Sequence, residues 1–94
     1  MNLITLSFEV GEEDQADFIS KMENMKDYWD VKGFVFSQFR DTNRKNHFLQ
    51  LFLTEKSVDH FTALIQNDSR AKAMFENVRK VAGHIVVSCM ECVI

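Results

Sequence analysis

Residues 33 to 54 constrain the chain more than any other stretch. They read Gly-Phe-Val-Phe-Ser-Gln-Phe-Arg-Asp-Thr-Asn-Arg-Lys-Asn-His-Phe-Leu-Gln-Leu-Phe-Leu-Thr. Two runs rich in Phe, Leu and Val flank a polar tip, Asp41 to Asn46, the signature of a β-hairpin. Pairing Asp41 with Asn46 across a four-residue loop sets an antiparallel register. Phe36 then faces Leu51, Gln38 faces Leu49 and Arg40 faces His47, while on the other side Val35 meets Phe52, Ser37 meets Gln50 and Phe39 meets Phe48. Neither face is polar. A sheet with helices on one side needs only one apolar face, so the second face asks for a second cover.

The flanking sequence supplies the first cover. Residues 2 to 10 alternate as a strand, with Ile4, Leu6 and Phe8 on one side. Gly11 breaks it, and Glu12, Glu13 and Asp14 suit the positive end of a helix dipole. Phe18, Met22, Met25 and Trp29 recur at helical spacing, which predicts an amphipathic helix of about 15 residues before Gly33. After the hairpin, Ser57 is a helix N-cap, and Val58, Phe61, Leu64 and Ile65 form the stripe of a short helix. Asn67-Asp68-Ser69 interrupts it and caps a second helix carrying Ala71, Met74, Phe75, Val78 and Val81. Residues 84 to 93 read as the last strand, with Ile85, Val87 and Cys89 on one side and Val86, Ser88 and Met90 on the other. The order is β-α-β-β-α-β. It predicts an α+β, ferredoxin-like fold with a four-stranded antiparallel sheet and helices on one face, in a single domain over 1–94.

This assembly places Phe8, Phe36, Leu51, Phe61, Leu64, Met74 and Trp29 between sheet and helices, where they would line any ligand pocket. It places Val35, Ser37, Phe39, Phe48, Gln50 and Phe52 on the opposite face. Exposed aromatics in that number form a patch that soluble monomers rarely leave open. The expected cover is the same face of a second copy, a two-fold sheet-on-sheet homodimer.

Other features narrow the function by exclusion. Net charge is −3, without the basic footprint of a nucleic-acid binder. The acidic residues crowd between Glu9 and Asp30, as a solvated helix face would. No run approaches the ~18 apolar residues of a membrane span, and the N-terminus runs into Leu3-Ile4-Thr5-Leu6 without the basic n-region of a signal peptide. The chain therefore reads as cytoplasmic. Cys89 and Cys92 form a C-x-x-C string, but residues three apart on a strand point to opposite faces. With no further ligands for zinc, they read as reduced packing cysteines, and no metal site is expected.

The chain resembles the antibiotic biosynthesis monooxygenase family of dimeric α/β barrels. The resemblance rests on Gly33-Phe34 at the start of the second strand, Arg40-Asp41 at its end and Phe48-Leu49-Gln50-Leu51. Ser57-Val58-Asp59-His60-Phe61 and the Asn67-Asp68 break add to it. It implies the fold, the dimer and ligand binding between sheet and helices. It also implies a range of activities, from oxygenation of aromatic or quinol substrates without a cofactor to haem degradation. The haem-degrading members use an asparagine, a tryptophan and a histidine that align near Ile4, Leu64 and Met74. All three are apolar here, which disfavours haem chemistry.

Two functions remain. The first is a monooxygenase acting, with no cofactor, on a small aromatic or quinone-like molecule. Its candidate groups are Arg40 and His47, expected side by side at the hairpin end, and His60 near a helix start. It predicts an open sheet–helix cavity with at least two convergent polar groups. The alternative is a non-catalytic dimeric module for small-ligand binding or assembly, in which the core side chains fill that space. The ordinary roles of the same residues are an exposed cross-strand pair for Arg40 and His47, a surface position for His60, and core packing for Trp29.

Overall fold

The tip of the hairpin decides how the faces of the sheet are composed. In the computed structural model, which describes residues 1–94, Asp41 folds the tip onto itself. Its Oδ1 accepts the backbone N–H groups of Asn43 (2.7 Å) and Arg44 (2.9 Å). The His47 N–H then closes onto the Arg44 carbonyl, and the Asp41 N–H onto the His47 carbonyl. The pairing therefore closes at Asp41 and His47 instead of Asp41 and Asn46. Strand β2 (Phe34–Arg40) runs against β3 (His47–Thr54) with Phe36 opposite Phe52, Gln38 opposite Gln50 and Arg40 opposite Phe48. This is one residue away from the register expected for a four-residue loop. Because side chains alternate, a slip of one residue exchanges the two faces of a strand.

β1 (Asn2–Glu9) lies at the centre with β3, and β4 (Ile85–Glu91) pairs with its other side, giving the order β2-β3-β1-β4, all antiparallel. Four helices cover one face: α1 (Glu12–Glu23), α2 (Lys26–Val31), α3 (Val58–Asn67) and α4 (Ser69–Val81). The expected α+β, ferredoxin-like β-α-β-β-α-β architecture is thus present. The long first helix breaks at Asn24 and Met25 into α1 and α2. Ser57 and Asp68 cap α3 and α4 as the sequence indicates: Ser57 Oγ accepts the His60 N–H, and Asp68 Oδ1 accepts those of Arg70 and Ala71. Gly33, between α2 and β2, takes φ +92°, a conformation that glycine adopts without a Cβ clash.

The helix side of the sheet holds Ile4, Leu6, Phe8, Phe34, Phe36, Phe48, Gln50, Phe52 and Thr54, all buried. Phe48, Gln50 and Phe52, expected on the open face, therefore belong to the protein's own core, and Leu51, expected in the core, lies on the open face with Leu49 and Leu53. Trp29 is fully buried at the centre, edge-on to Phe34 and Phe52 and stacked on Phe61 at 5.5 Å. An aromatic side chain of this kind removes about 150–250 Å² from water, which corresponds to about 4–6 kcal/mol of transfer free energy. A second aromatic group, Phe8, Phe18 and Phe48, pins α1 onto the other end of the sheet.

The open face remains strongly apolar after the exchange. Val35, Phe39, Val86 and Met90 are each more than half exposed, and Leu3, Leu49, Leu51 and Leu53 lie half-buried among them. Thr5, Ser7, Ser37 and Ser88 are its small polar members. No helix is long and apolar enough to cross a membrane.

Candidate functional site

Helices α3 and α4 meet at the Asp68 cap, and α3 lays Phe61 against Phe34 of β2 and Phe52 of β3. The helix side of the outer strand β4 is only partly covered, so Val87 is 54% exposed there and Cys89 is exposed. Between β4 and the helices a cleft of about 180 Å³ opens to solvent. Ile4, Leu6, Val87 and Cys89 form its floor, and Val58, Phe61, Thr62, Ile65 and Phe75 form its wall. The side chains come from the i, i+3, i+4, i+7 stripe of α3 and from one residue of α4, which explains their nearly unbroken apolar character. The one hydroxyl, Thr62 Oγ1, donates to the Val58 carbonyl at 3.1 Å. A second cleft, between α1 and β2, has Glu23, Lys26 and Gln38 in its lining and is less suited to an apolar ligand.

None of the three expected catalytic groups reaches the apolar cleft. Arg40 and His47 do not face each other, because the register sets Arg40 opposite Phe48 and His47 opposite Glu9. Arg40 stays on the helix side, where its Nη1 donates to Gln15 Oε1 at 3.2 Å. The Gln15 amide in turn donates to the Val10 and Lys45 carbonyls and to Asn46 Oδ1. Arg40 thus belongs to a latch between α1 and the hairpin tip. His47 lies on the open face, with Nε2 2.9 Å from Ser7 Oγ. His60 is exposed on α3 and stacks on the Phe34 ring.

The expected pocket residues divide. Phe61 lines the cleft, whereas Phe8, Phe36, Trp29 and Met74 are consumed by packing, Leu64 packs at the core margin, and Leu51 is on the other face. The Met74 thioether accepts the Trp29 Nε1–H at 3.0 Å, so its sulfur is already engaged. Cys89 and Cys92 do not pack internally: both thiols are exposed, and Cys92 lies beyond the end of β4.

One titrating cluster holds the helices in place. Tyr28 is buried, and burial first, with the Asp68 carboxylate second, pushes its hydroxyl above the usual phenol range. The Tyr28 hydroxyl, followed by the Ala71 and Arg70 N–H groups and Lys32, holds Asp68 below the usual carboxylate range, against a smaller upward push from desolvation. Tyr28 Oη meets no acceptor in hydrogen-bonding geometry, so we read its effect on Asp68 as that of a nearby dipole. Lys32 and Arg70 sit over the Tyr28 ring at 5.7 and 5.2 Å, a cation–π arrangement tying α2 to α4.

No protein-family model and no curated sequence matches the chain. Solved structures do match. A crystal structure of an antibiotic biosynthesis monooxygenase superimposes with a TM-score of 0.82 over 99% of both chains at 9% identity. The chain has the antibiotic biosynthesis monooxygenase fold. A variant of SnoaB, a cofactor-independent oxygenase from Streptomyces nogalater, aligns over 98% of this chain and 92% of its own, with a TM-score of 0.78 and 14% identity. Rv0793 from Mycobacterium tuberculosis aligns over 98% and 94%, with a TM-score of 0.80 and 6% identity. The whole chain is therefore spanned by this one fold, while its side chains have diverged almost completely.

Proposed function

We propose that the chain takes a small, flat, apolar molecule, aromatic or quinone-like, into the cleft between β4 and helices α3 and α4, and that oxygenation of this molecule is its reaction. The observation that carries the proposal is the continuous apolar lining of that cleft, in a fold shared with a cofactor-independent oxygenase. The cleft is smaller than the ~300–1,000 Å³ usual for drug-sized ligands, which favours one or two fused rings over three or more. Such a reaction balances without a cofactor when the substrate supplies the electrons: a ring CH₂ beside a phenol and one O₂ give a ring carbonyl and one water. The cleft contributes by excluding water from the electron-rich substrate anion. Its lining holds no histidine or carboxylate, so the substrate ionises into solvent before or as it binds.

The absence of a histidine or carboxylate from the lining is also the specific observation favouring a second reading, ligand binding without turnover. Oxygen uptake with one-, two- and three-ring phenols that tautomerise to a ring CH₂, anthrones among them, separates the two. Saturable uptake, fastest with two rings and lost in Phe61→Ala, supports the oxygenase. Saturable binding by equilibrium dialysis with no uptake supports the binding module, and neither binding nor uptake refutes both. We also propose that a second copy of the chain covers the open face, supported by the exposed Val35, Phe39, Val86 and Met90 and the half-buried leucines among them.

A further inference from the structure

The end of the sheet beside the hairpin tip holds a third cleft with different chemistry. Ser7, Phe8 and Glu9 of β1, Arg44 of the hairpin tip, His47 of β3, and Gly83, His84 and Val86 around the start of β4 line a space of about 410 Å³. The strand order brings these groups together from four separate parts of the chain. β1 lies between β3 and β4, and the register sets Glu9 against His47 and Ser7 against Val86. His84 lies just before β4 and shares the lining with His47. Glu9 thus shares one cleft with a histidine from β3 and a histidine from the segment leading into β4.

His47 is incompletely satisfied in its present setting. Its Nε2 is paired with Ser7 Oγ at 2.9 Å, whereas its Nδ1 is buried without a partner. In a neutral imidazole one nitrogen donates and the other accepts, and in the cation both donate. Protonated His47 would give Nε2–H to Ser7 Oγ, freeing the Ser7 hydroxyl proton, and would have Nδ1–H to offer. Arg44 makes one loose ion pair, through Nε to Asp41 at 3.8 Å, and Asp41 is already bound by two backbone N–H groups. The terminal guanidinium nitrogens remain free for a ligand, and guanidinium forks match oxyanions bidentately.

We propose that this cleft binds a compact oxyanion, a carboxylate or a phosphate-type group, held by Arg44, His47, His84 and the Ser7 hydroxyl, and that it does so below neutral pH. Histidine is the side chain whose charge ordinarily changes between pH 5 and 8. With both histidines protonated, Arg44, His47 and His84 together oppose Glu9 in the lining, with Asp41 behind Arg44. With both neutral, Arg44 alone faces Glu9 and the cleft has no net attraction for an anion. Glu9 is the resident counter-ion of the cleft.

The test follows the imidazole ring protons by NMR while sulfate or acetate is titrated at constant ionic strength, with chloride as the balancing salt. Sulfate keeps its charge across the range, so its pH dependence belongs to the protein. At pH 6 the His47 and His84 signals are expected to shift saturably, and at pH 8 they are not. Arg44→Ala and His84→Ala should each weaken binding about tenfold, the scale of one charge-assisted hydrogen bond. Glu9→Gln should restore binding at pH 8, a gain that simple damage to the fold does not give. Preference for sulfate identifies a phosphate-type ligand and preference for acetate a carboxylate. Shifts that never saturate, that chloride reproduces, or that survive Arg44→Ala unchanged would overturn the proposal.

Discussion

The register of the hairpin can be tested by two neighbouring truncations, Phe48→Ala and Leu49→Ala. Phe48 is 1% exposed, parallel to Phe8 at 6.2 Å and edge-on to Phe18 at 5.8 Å. Removing its ring deletes the contact between β3 and α1 and leaves a cavity that those rings cannot collapse to fill. Phe→Ala changes in such sites cost about 3–5 kcal/mol. For a domain near this size each kcal/mol moves Tm by about 4–8 °C, so a fall of at least about 12 °C is expected. Total stability is of the order of 5–15 kcal/mol, which puts Phe48→Ala near the limit of folding. Leu49, one residue on, points to the open face and touches none of that cluster. Its truncation should leave the isolated fold within about 1 kcal/mol, the range of ordinary surface changes. Urea titrations followed by circular dichroism at several protein concentrations separate the cases. The Phe48→Ala loss should be the same at every concentration, and any Leu49→Ala loss should grow with concentration, because it acts through association. A Phe48→Ala loss below about 1 kcal/mol, or the reverse pattern of concentration dependence, would place β3 in the other register and refute the argument.

Three further outcomes follow from the same geometry. Phe39→Asp, at a position 53% exposed on the open face, is expected to yield a species of 11.0 kDa by light scattering where the proposed dimer would give twice that mass, with helical content unchanged. Gln50→Met is expected to change stability by less than about 1 kcal/mol in the urea assay, because it removes both the buried Oε1 that has no donor and the Nε2–H bond to Gln38 Oε1 at 2.9 Å, two opposing effects of similar size. Asp68 is held below its ordinary value of 3.8 in the fold. The unfolded chain therefore takes up its proton first, so the Asp68 contribution is complete above about pH 4–5 and lost as pH falls through the lower folded value. Asp68→Asn, which preserves an N-cap, should flatten the decline of Tm between pH 5 and 3.

The element order was legible, apart from the break between α1 and α2, because its signals are local: caps at Ser57 and Asp68, the break at Gly11, and alternation in β1. The faces of β3 were not. In Phe48-Leu49-Gln50-Leu51-Phe52-Leu53 both sides are apolar, so periodicity cannot choose between them, and the one polar residue, Gln50, points the wrong way because it is buried. The choice was made by the Asp41 turn, whose side-chain bonds lengthen the loop by one residue. The same slip separated Arg40 from His47 and joined His47 to Ser7, a contact between residues forty positions apart that no spacing rule anticipates. The cleft was legible in part. The α3 stripe of Val58, Phe61 and Ile65 marks a buried face, but only the placement of α3 beside β4 shows that it is left partly unfilled.

Trp29 gives the molecule its own optical reporter. It is the one tryptophan, fully shielded from water and lying against Phe61, whose ring also forms the wall of the cleft. The emission of the folded chain should therefore be blue-shifted and come from a single environment. A quinone seated against Phe61 would lie one ring away from the indole, close enough to quench it. Occupancy of the cleft can thus be followed in the unlabelled protein, and a ligand confined to the Ser7–His47 cleft on the opposite face of the sheet should leave the same signal unchanged.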